Sequence, residues 1–208
     1  MALVAMVVLG TPIAHLIALR RFPGRDALLT AFELPLVLPP AVAGIGLLMA
    51  FGRRGLLGDE LDALGLQIPY TKLAVVMAMA FVASPLFIRQ AVAAFDALDR
   101  DLLAAARTLG AGPARTFWRV AVPLARGGLG AGAALAWARA LGEFGATIIF
   151  AGSLSGVTRT APIEIYLGIS ENLDAGLATA SVLIAVSAVI LFSVKLLVRR
   201  RASRSVLL

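Results

Sequence analysis

Within one long apolar run, AWARALGEFGATIIFAG, two side chains of opposite charge stand four residues apart, Arg139 and Glu143. On a single helix that spacing puts both on one face. Thr147 continues the same stripe, giving a guanidinium, a carboxylate and a hydroxyl in line. Charge in apolar surroundings is costly and faces a protein interior or a wet route. A locked ion pair that fixes helix packing suits Glu143 better, because an unpaired carboxylate there would repel an anion. The other reading makes the three residues part of an anion pathway or gate. Arg139 then supplies positive potential while Glu143 anchors it, and Gly142 and Gly145 let the helix bend.

Catalytic chemistry has little to work with. Without cysteine, thiol catalysis, disulfides and thiolate metal sites are excluded. His15 is the one histidine and lacks the spacing of a metal site; it is expected near a helix surface or against a neighbour. The two lysines, Lys72 and Lys195, are not preceded by the glycines of a nucleotide phosphate loop. No triad or paired-carboxylate site is evident, so no catalytic residue, metal or cofactor is assigned to this chain.

A second segment, DLLAAARTLGAGPARTFWRVAVPLARGG, carries Arg107, Arg115, Arg119 and Arg126 between two apolar runs. Residues 101–109 are rich in strong helix formers, with Asp99 or Asp101 near the start. Gly110 and then Gly112-Pro113 end that helix. ARTFWRVAV reads as a second short amphipathic segment, and Pro123 marks the start of the next apolar run. The result is an angled hairpin on a membrane surface. A basic loop lying on anionic lipid would account for the charge and for Trp118, but not for the small patch Ala104-Ala105-Ala106. Three small side chains on a helix suit close docking of another protein.

The elements that position these residues are read from composition. Of the 208 residues, 60% are hydrophobic and 15% charged, and the mean hydropathy is +0.93. Soluble domains carry about 25% charged residues, so a lipid-facing protein is expected. The net charge of +7 does not point to nucleic acid, because the arginines flank apolar runs instead of sharing a wet face with stacking aromatics. Five runs reach the roughly 20 residues a spanning helix needs: 2–19, 33–51, 73–95, 128–151 and 176–198. The first lacks a basic segment ahead of it and is followed by Arg20, Arg21 and Arg25, so it reads as a retained span and not a signal peptide. The chain starts almost inside it, so a preceding element is expected to be absent.

Orientation follows from the basic residues beside the spans. With the C-terminus in the cytoplasm, fourteen fall inside: Arg20, Arg21, Arg25, Arg89, Arg100, Arg107, Arg115, Arg119, Arg126, Lys195, Arg199, Arg200, Arg201 and Arg204. Four fall outside: Arg53, Arg54, Lys72 and Arg159. The N-terminus is therefore expected outside and the hairpin inside. Pro35, Pro39 and Pro40 interrupt the second run, and Ser84-Pro85 implies a kink in the third. Gly128, Gly132 and Ala136 repeat every four residues, which permits close helix contact. Arg159 is expected in an outer loop, where it solvates the loop or meets a soluble partner. The segment IEIYLGISENL is too short and polar to span and is expected to lie at the outer mouth.

At the hairpin the chain resembles the permease subunits of bacterial and archaeal ABC importers. Their cytoplasmic motif is Glu-Ala-Ala, three residues, Gly, nine residues, then Ile-x-Leu-Pro. Here Ala105-Ala106 are followed after three residues by Gly110, and after nine more by Val120-Ala121-Val122-Pro123. Ala104 departs from the pattern, where the family has glutamate. RRFPGRDALLTAFELPLVLPPAVAG, LLMAFGRRGLLG and LGEFGATIIFAG further resemble the molybdate (or tungstate) branch, whose relatives handle sulfate. Relatives often carry a segment ahead of the point where this chain starts.

The resemblance implies an all-α polytopic membrane protein with five transmembrane helices, forming a single permease domain over 1–208 with a coupling loop at 96–123. It also implies that Ala104, Ala105, Ala106, Leu109, Gly110, Val120 and Pro123 couple to a separate ABC ATPase, present in two copies and holding ATP and Mg. An extracytoplasmic molybdate-binding protein, a second copy of this chain and membrane lipid complete the implied partners, in a bacterial or archaeal inner membrane. A sulfate or thiosulfate importer is the nearest alternative. An ion-coupled secondary transporter would call for several deep acids and inverted repeats, whereas Glu143 alone lies deep and no repeat is visible. A membrane scaffold would leave the spaced motif unexplained.

Overall fold

The computed structural model describes residues 1–20 and 22–202, and the side chains of all of these except 191 and 193–202. Arg21 and Arg204, with the side chains of Lys195, Arg199, Arg200 and Arg201, therefore lie outside the described residues. The described chain is all-α. In order it forms α1 (Ala2–Leu19), α2 (Arg25–Val37), α3 (Pro40–Phe51), α4 (Gly58–Ala63), α5 (Lys72–Asp96), α6 (Arg100–Thr108), α7 (Pro113–Thr116), a π turn (Phe117–Ala121), α8 (Val122–Leu141), α9 (Gly145–Ala151), α10 (Ala161–Glu171) and α11 (Leu173–Ala202).

Among the described residues, four helical runs are long and apolar enough to cross a membrane: Ala2–Leu19, Lys72–Asp96, Pro113–Leu141 and Leu173–Ile190. A fifth is reached if α2 and α3 count as one span, but that pair is bent by 116°. The bend has a local cause. Pro39 and Pro40 donate no backbone hydrogen bond, and a residue before proline is pushed out of the helical region. Pro39 is accordingly extended, with φ −54° and ψ 134°, and Pro40 opens α3 in its first turn.

The fourth apolar run differs from the expectation at both ends. ARTFWRVAV is not a separate helix, and Pro123 is not a boundary: Pro113–Leu141 is one helical run of 29 residues. Within it, the Val122 N–H donates to the Phe117 carbonyl five residues back. The π turn precedes Pro123, whose missing N–H already interrupts the regular ladder. At the other end the helix stops at Leu141, and α9 begins only at Gly145.

The chain divides into two compact units, each discontinuous in sequence. One comprises Met1–Ala2, Pro35–Ala83 and Ala138 onward. Its core gathers Ala43 and Leu47 of α3, Ala74, Ala78 and Val82 of α5, and Ala146, Phe150 and Ala151 of α9, with Ile68. In the same unit α11 leaves Val182, Ile184, Val186 and Phe192 exposed, an apolar surface suited to lipid.

The other unit comprises Leu3–Leu34 and Ser84–Trp137. Here the glycine stripe of α8 lies on α5. A Cβ on Gly128 would collide with the Cβ of Ala94, and one on Gly132 would come within 3.0 Å of the Gln90 Cβ. Ala136, the next small residue of the stripe, is wholly buried. Small residues at these positions let the two helices meet at backbone distance.

Candidate functional site

Helix α6 has nine residues, a length at which an isolated helix is marginal in water. Both of its ends are fastened. The Asp99 carboxylate accepts the Asp101 N–H at 2.9 Å, a cap worth about 1 kcal/mol. At the far end Gly110 takes a left-handed φ of +83°. Its N–H donates to the Arg107 carbonyl at 3.0 Å, and the Ala111 N–H to the Ala106 carbonyl, also at 3.0 Å. This pair of bonds is a Schellman closure, and it needs a residue without Cβ at the turn.

The faces of α6 are unequal. Leu103 is buried, whereas Leu102, Ala104, Ala105 and Leu109 are exposed, Leu109 to 88%. Leu102, Ala105 and Leu109 sit at helical spacing (i, i+3, i+7), so they form one apolar stripe directed outward. Sequence reasoning found the alanines and Leu109 but missed Leu102, although its position three residues before Ala105 was legible as the same stripe. Gly110 and Pro123 are exposed as well, while Val120 is partly buried. After the turn, Gly112 caps α7 with its carbonyl, which accepts the Thr116 N–H at 2.9 Å and the Thr116 hydroxyl at 3.1 Å.

The charged residues belong to the other unit and are built differently from the expected stripe. The Arg139 Nη1 donates to Glu143 Oε2 at 2.9 Å, so the pair forms. Glu143, however, lies beyond the end of α8, in the break before α9. Its second oxygen, Oε1, accepts the Ala146 N–H at 2.9 Å. Phe144 occupies the capping position of α9 and has no side-chain acceptor; Glu143 takes over that task. A carboxylate also suits the positive end of a helix. One buried side chain, 1% exposed, thus fastens the end of one helix to the beginning of the next.

Thr147 does not join this arrangement. It lies in α9, is wholly buried, and its hydroxyl has no hydrogen-bond partner among the described residues. The helix break removes it from the line that continuous helix would have drawn. Gly145 permits the break to sit tight: a Cβ there would approach the Pro40 Cβ to 2.9 Å and the Ala41 nitrogen to 3.1 Å. Arg159 is engaged by its own neighbourhood, with Nη1 3.3 Å from Glu164 Oε2 in the first turn of α10. Among the described residues no group of three or more His, Cys, Asp or Glu side chains could hold a metal ion.

The sequence model of the family described as binding-protein-dependent transport system inner membrane component matches residues 7–203. The molybdenum transport system permease protein ModB of Mycobacterium tuberculosis is 45% identical over 191 residues, covering 92% of this chain and 72% of that protein. The sulfate transport system permease protein CysT of Escherichia coli K12 is 36% identical over 200 residues, covering 96% of this chain and 72% of its own. Among solved structures, the fold is similar to that of the MetNI methionine ABC transporter, with a TM-score of 0.63 and 19% identity over 96% of this chain and 92% of that one.

Proposed function

Because the chain belongs to the family of binding-protein-dependent transport system inner membrane components, we propose that it is the membrane-spanning subunit of an ATP-driven importer of molybdate or tungstate. It is a multi-pass inner-membrane protein of a transport family, and ATP hydrolysis belongs to a separate subunit. The observation that carries the reading is α6, a short helix fixed at both ends and presenting Leu102, Ala105 and Leu109 outward. Such a peg suits a cleft on a soluble ATPase. Two ATPases, holding ATP and Mg, grip the pegs of two copies of this chain, which pair about a two-fold axis. An external binding protein delivers the dianion to a path between the copies. Their closure on ATP then changes which end of that path is open.

Similarity to the ModB protein of M. tuberculosis supports molybdate. The likeness to CysT keeps sulfate as a second reading, since both anions are tetrahedral and doubly charged. The test is reconstitution of the permease with its ATPase and binding protein in proteoliposomes. Molybdate is expected to stimulate ATP hydrolysis and enter the vesicles, with sulfate ineffective at the same concentration. Stimulation by sulfate alone would transfer the assignment to the second reading, and stimulation by neither would end both.

The proposed topology treats α2 and α3 as one bent span, giving five, within a single permease domain. The N-terminus lies outside, and the loop 96–123 is cytoplasmic. Because the native chain has no cysteine, single cysteines report position without background. Gly156→Cys is expected to react with an impermeant thiol reagent on intact cells, and Gly112→Cys only after the membrane is opened. The reverse pattern would overturn the orientation and the cytoplasmic ATPase contact together.

A further inference from the structure

We propose that His15 is a positioning residue that carries movement of the α6 hairpin into α1, through its ring contacts with Phe117 and Phe95. The proposal rests on the ATPase-docking reading of α6. His15, in α1, completes a triangle of rings: its centroid is 4.8 Å from that of Phe95 at the end of α5 and 4.8 Å from that of Phe117 in the π turn, and those two are 6.4 Å from each other. Phe117 in turn meets Trp118 at 4.8 Å. Helix α6 packs against the π turn, so displacement of the peg reaches the turn that carries Phe117, and through that ring His15. Phe95 is buried, at 2% exposure, and gives both other rings a fixed seat.

Two further observations set the character of this contact. The buried His15 Nδ1 has no hydrogen-bond partner among the described residues. A buried polar atom without a partner costs free energy, which the packing of the ring against Phe95 and Phe117 offsets. Beside it, Arg25 braces the same pair of helices. Its Nε donates to the Ile17 carbonyl of α1 at 2.9 Å, and its Nη2 to the Asp96 carboxylate of α5 at 2.8 Å. The ends of α1 and α5 are thereby held together, and a push on His15 moves both. The π turn supplies the compliant joint, since such turns interrupt the regular ladder and recur at functional positions.

The test uses the complete transporter in proteoliposomes, comparing basal ATP hydrolysis with hydrolysis stimulated by loaded binding protein. His15→Ala is expected to retain the ATPase subunit and its basal rate while stimulation and uptake fall at least about fivefold, the size of a lost coupling contact. His15→Phe, which keeps a ring and removes the orphaned nitrogen, is expected to keep both. Phe117→Leu should repeat the loss seen with His15→Ala, and it decides the matter if His15→Ala does not assemble. Full stimulation in the ring-deleting variants would overturn the proposal, as would a His15→Phe variant as impaired as His15→Ala. Those results with Ala105→Arg still weakening ATPase association would sink the ring linkage alone. Normal association in Ala105→Arg would sink the docking reading beneath it.

Discussion

Arg139→Gln is expected to destabilise the protein by about 3–5 kcal/mol, the usual cost of stranding one member of a buried ion pair. The stranded partner would be Glu143, which is 1% exposed and would keep only the Ala146 N–H. Glu143→Gln should cost less, about 1–3 kcal/mol. Its amide oxygen still accepts the Ala146 N–H, and Arg139, 32% exposed, is far less enclosed than Glu143. The double variant, with no charge to strand, is expected to regain most of the loss. Thermal unfolding in detergent and molybdate uptake, measured on all three variants, separate the two roles of the pair. Recovery of stability and transport together identifies a structural lock. Recovered stability with a raised half-saturation concentration identifies Arg139 as part of the anion path. Wild-type stability and wild-type uptake in both single variants would remove both roles.

Ala105→Arg is expected to leave folding and membrane insertion unchanged while weakening ATPase association at least about thirtyfold, as loss of an interface hot spot worth about 2 kcal/mol does. Ala105 is exposed at the centre of the Leu102–Leu109 stripe, so the new side chain meets nothing within the permease itself. It would hold an approaching cleft away from both leucines. Co-purification of the tagged permease with its ATPase reads the effect. Undiminished recovery of the ATPase would mean that this face of α6 is not the docking surface.

Local features were legible in the sequence because their causes are local. The apolar run 2–19 coincides with α1, and 73–95 lies within one residue of α5 at either end. Asp99 and Gly110 announced the two ends of α6, since capping depends on residue type and short-range hydrogen bonds. The Arg139–Glu143 contact was also foreseen, but its setting was not. Hydropathy runs smoothly through ALGEFGATI, and nothing in it reports that Gly145 must approach Pro40 or that Glu143 will cap α9. Those constraints come from residues about a hundred positions away and from the backbone after the break. Leu102 was not legible as exposed because Leu102 and Leu103 are adjacent leucines, and only packing decides that Leu103 is the buried one. Pro123 was misjudged as a boundary because a π turn lets a helix run past a proline, and composition does not mark where such a turn will form.

That π turn also carries an arithmetic consequence. Each residue of an α-helix advances the chain by about 100° and 1.5 Å. Phe117–Ala121 joins the hairpin to α8 without a break but winds more loosely, with five residues closing the turn, so its winding sets the rotational phase of everything ahead of it. Were the same residues wound as regular α-helix, α7, the Gly110–Gly112 turn and α6 would swing through roughly a quarter of a revolution about the α8 axis. Leu102 and Leu109 would then face a new direction with no change in their own chemistry. The looser winding of this stretch, independently of which side chains fill it, is what aims the peg.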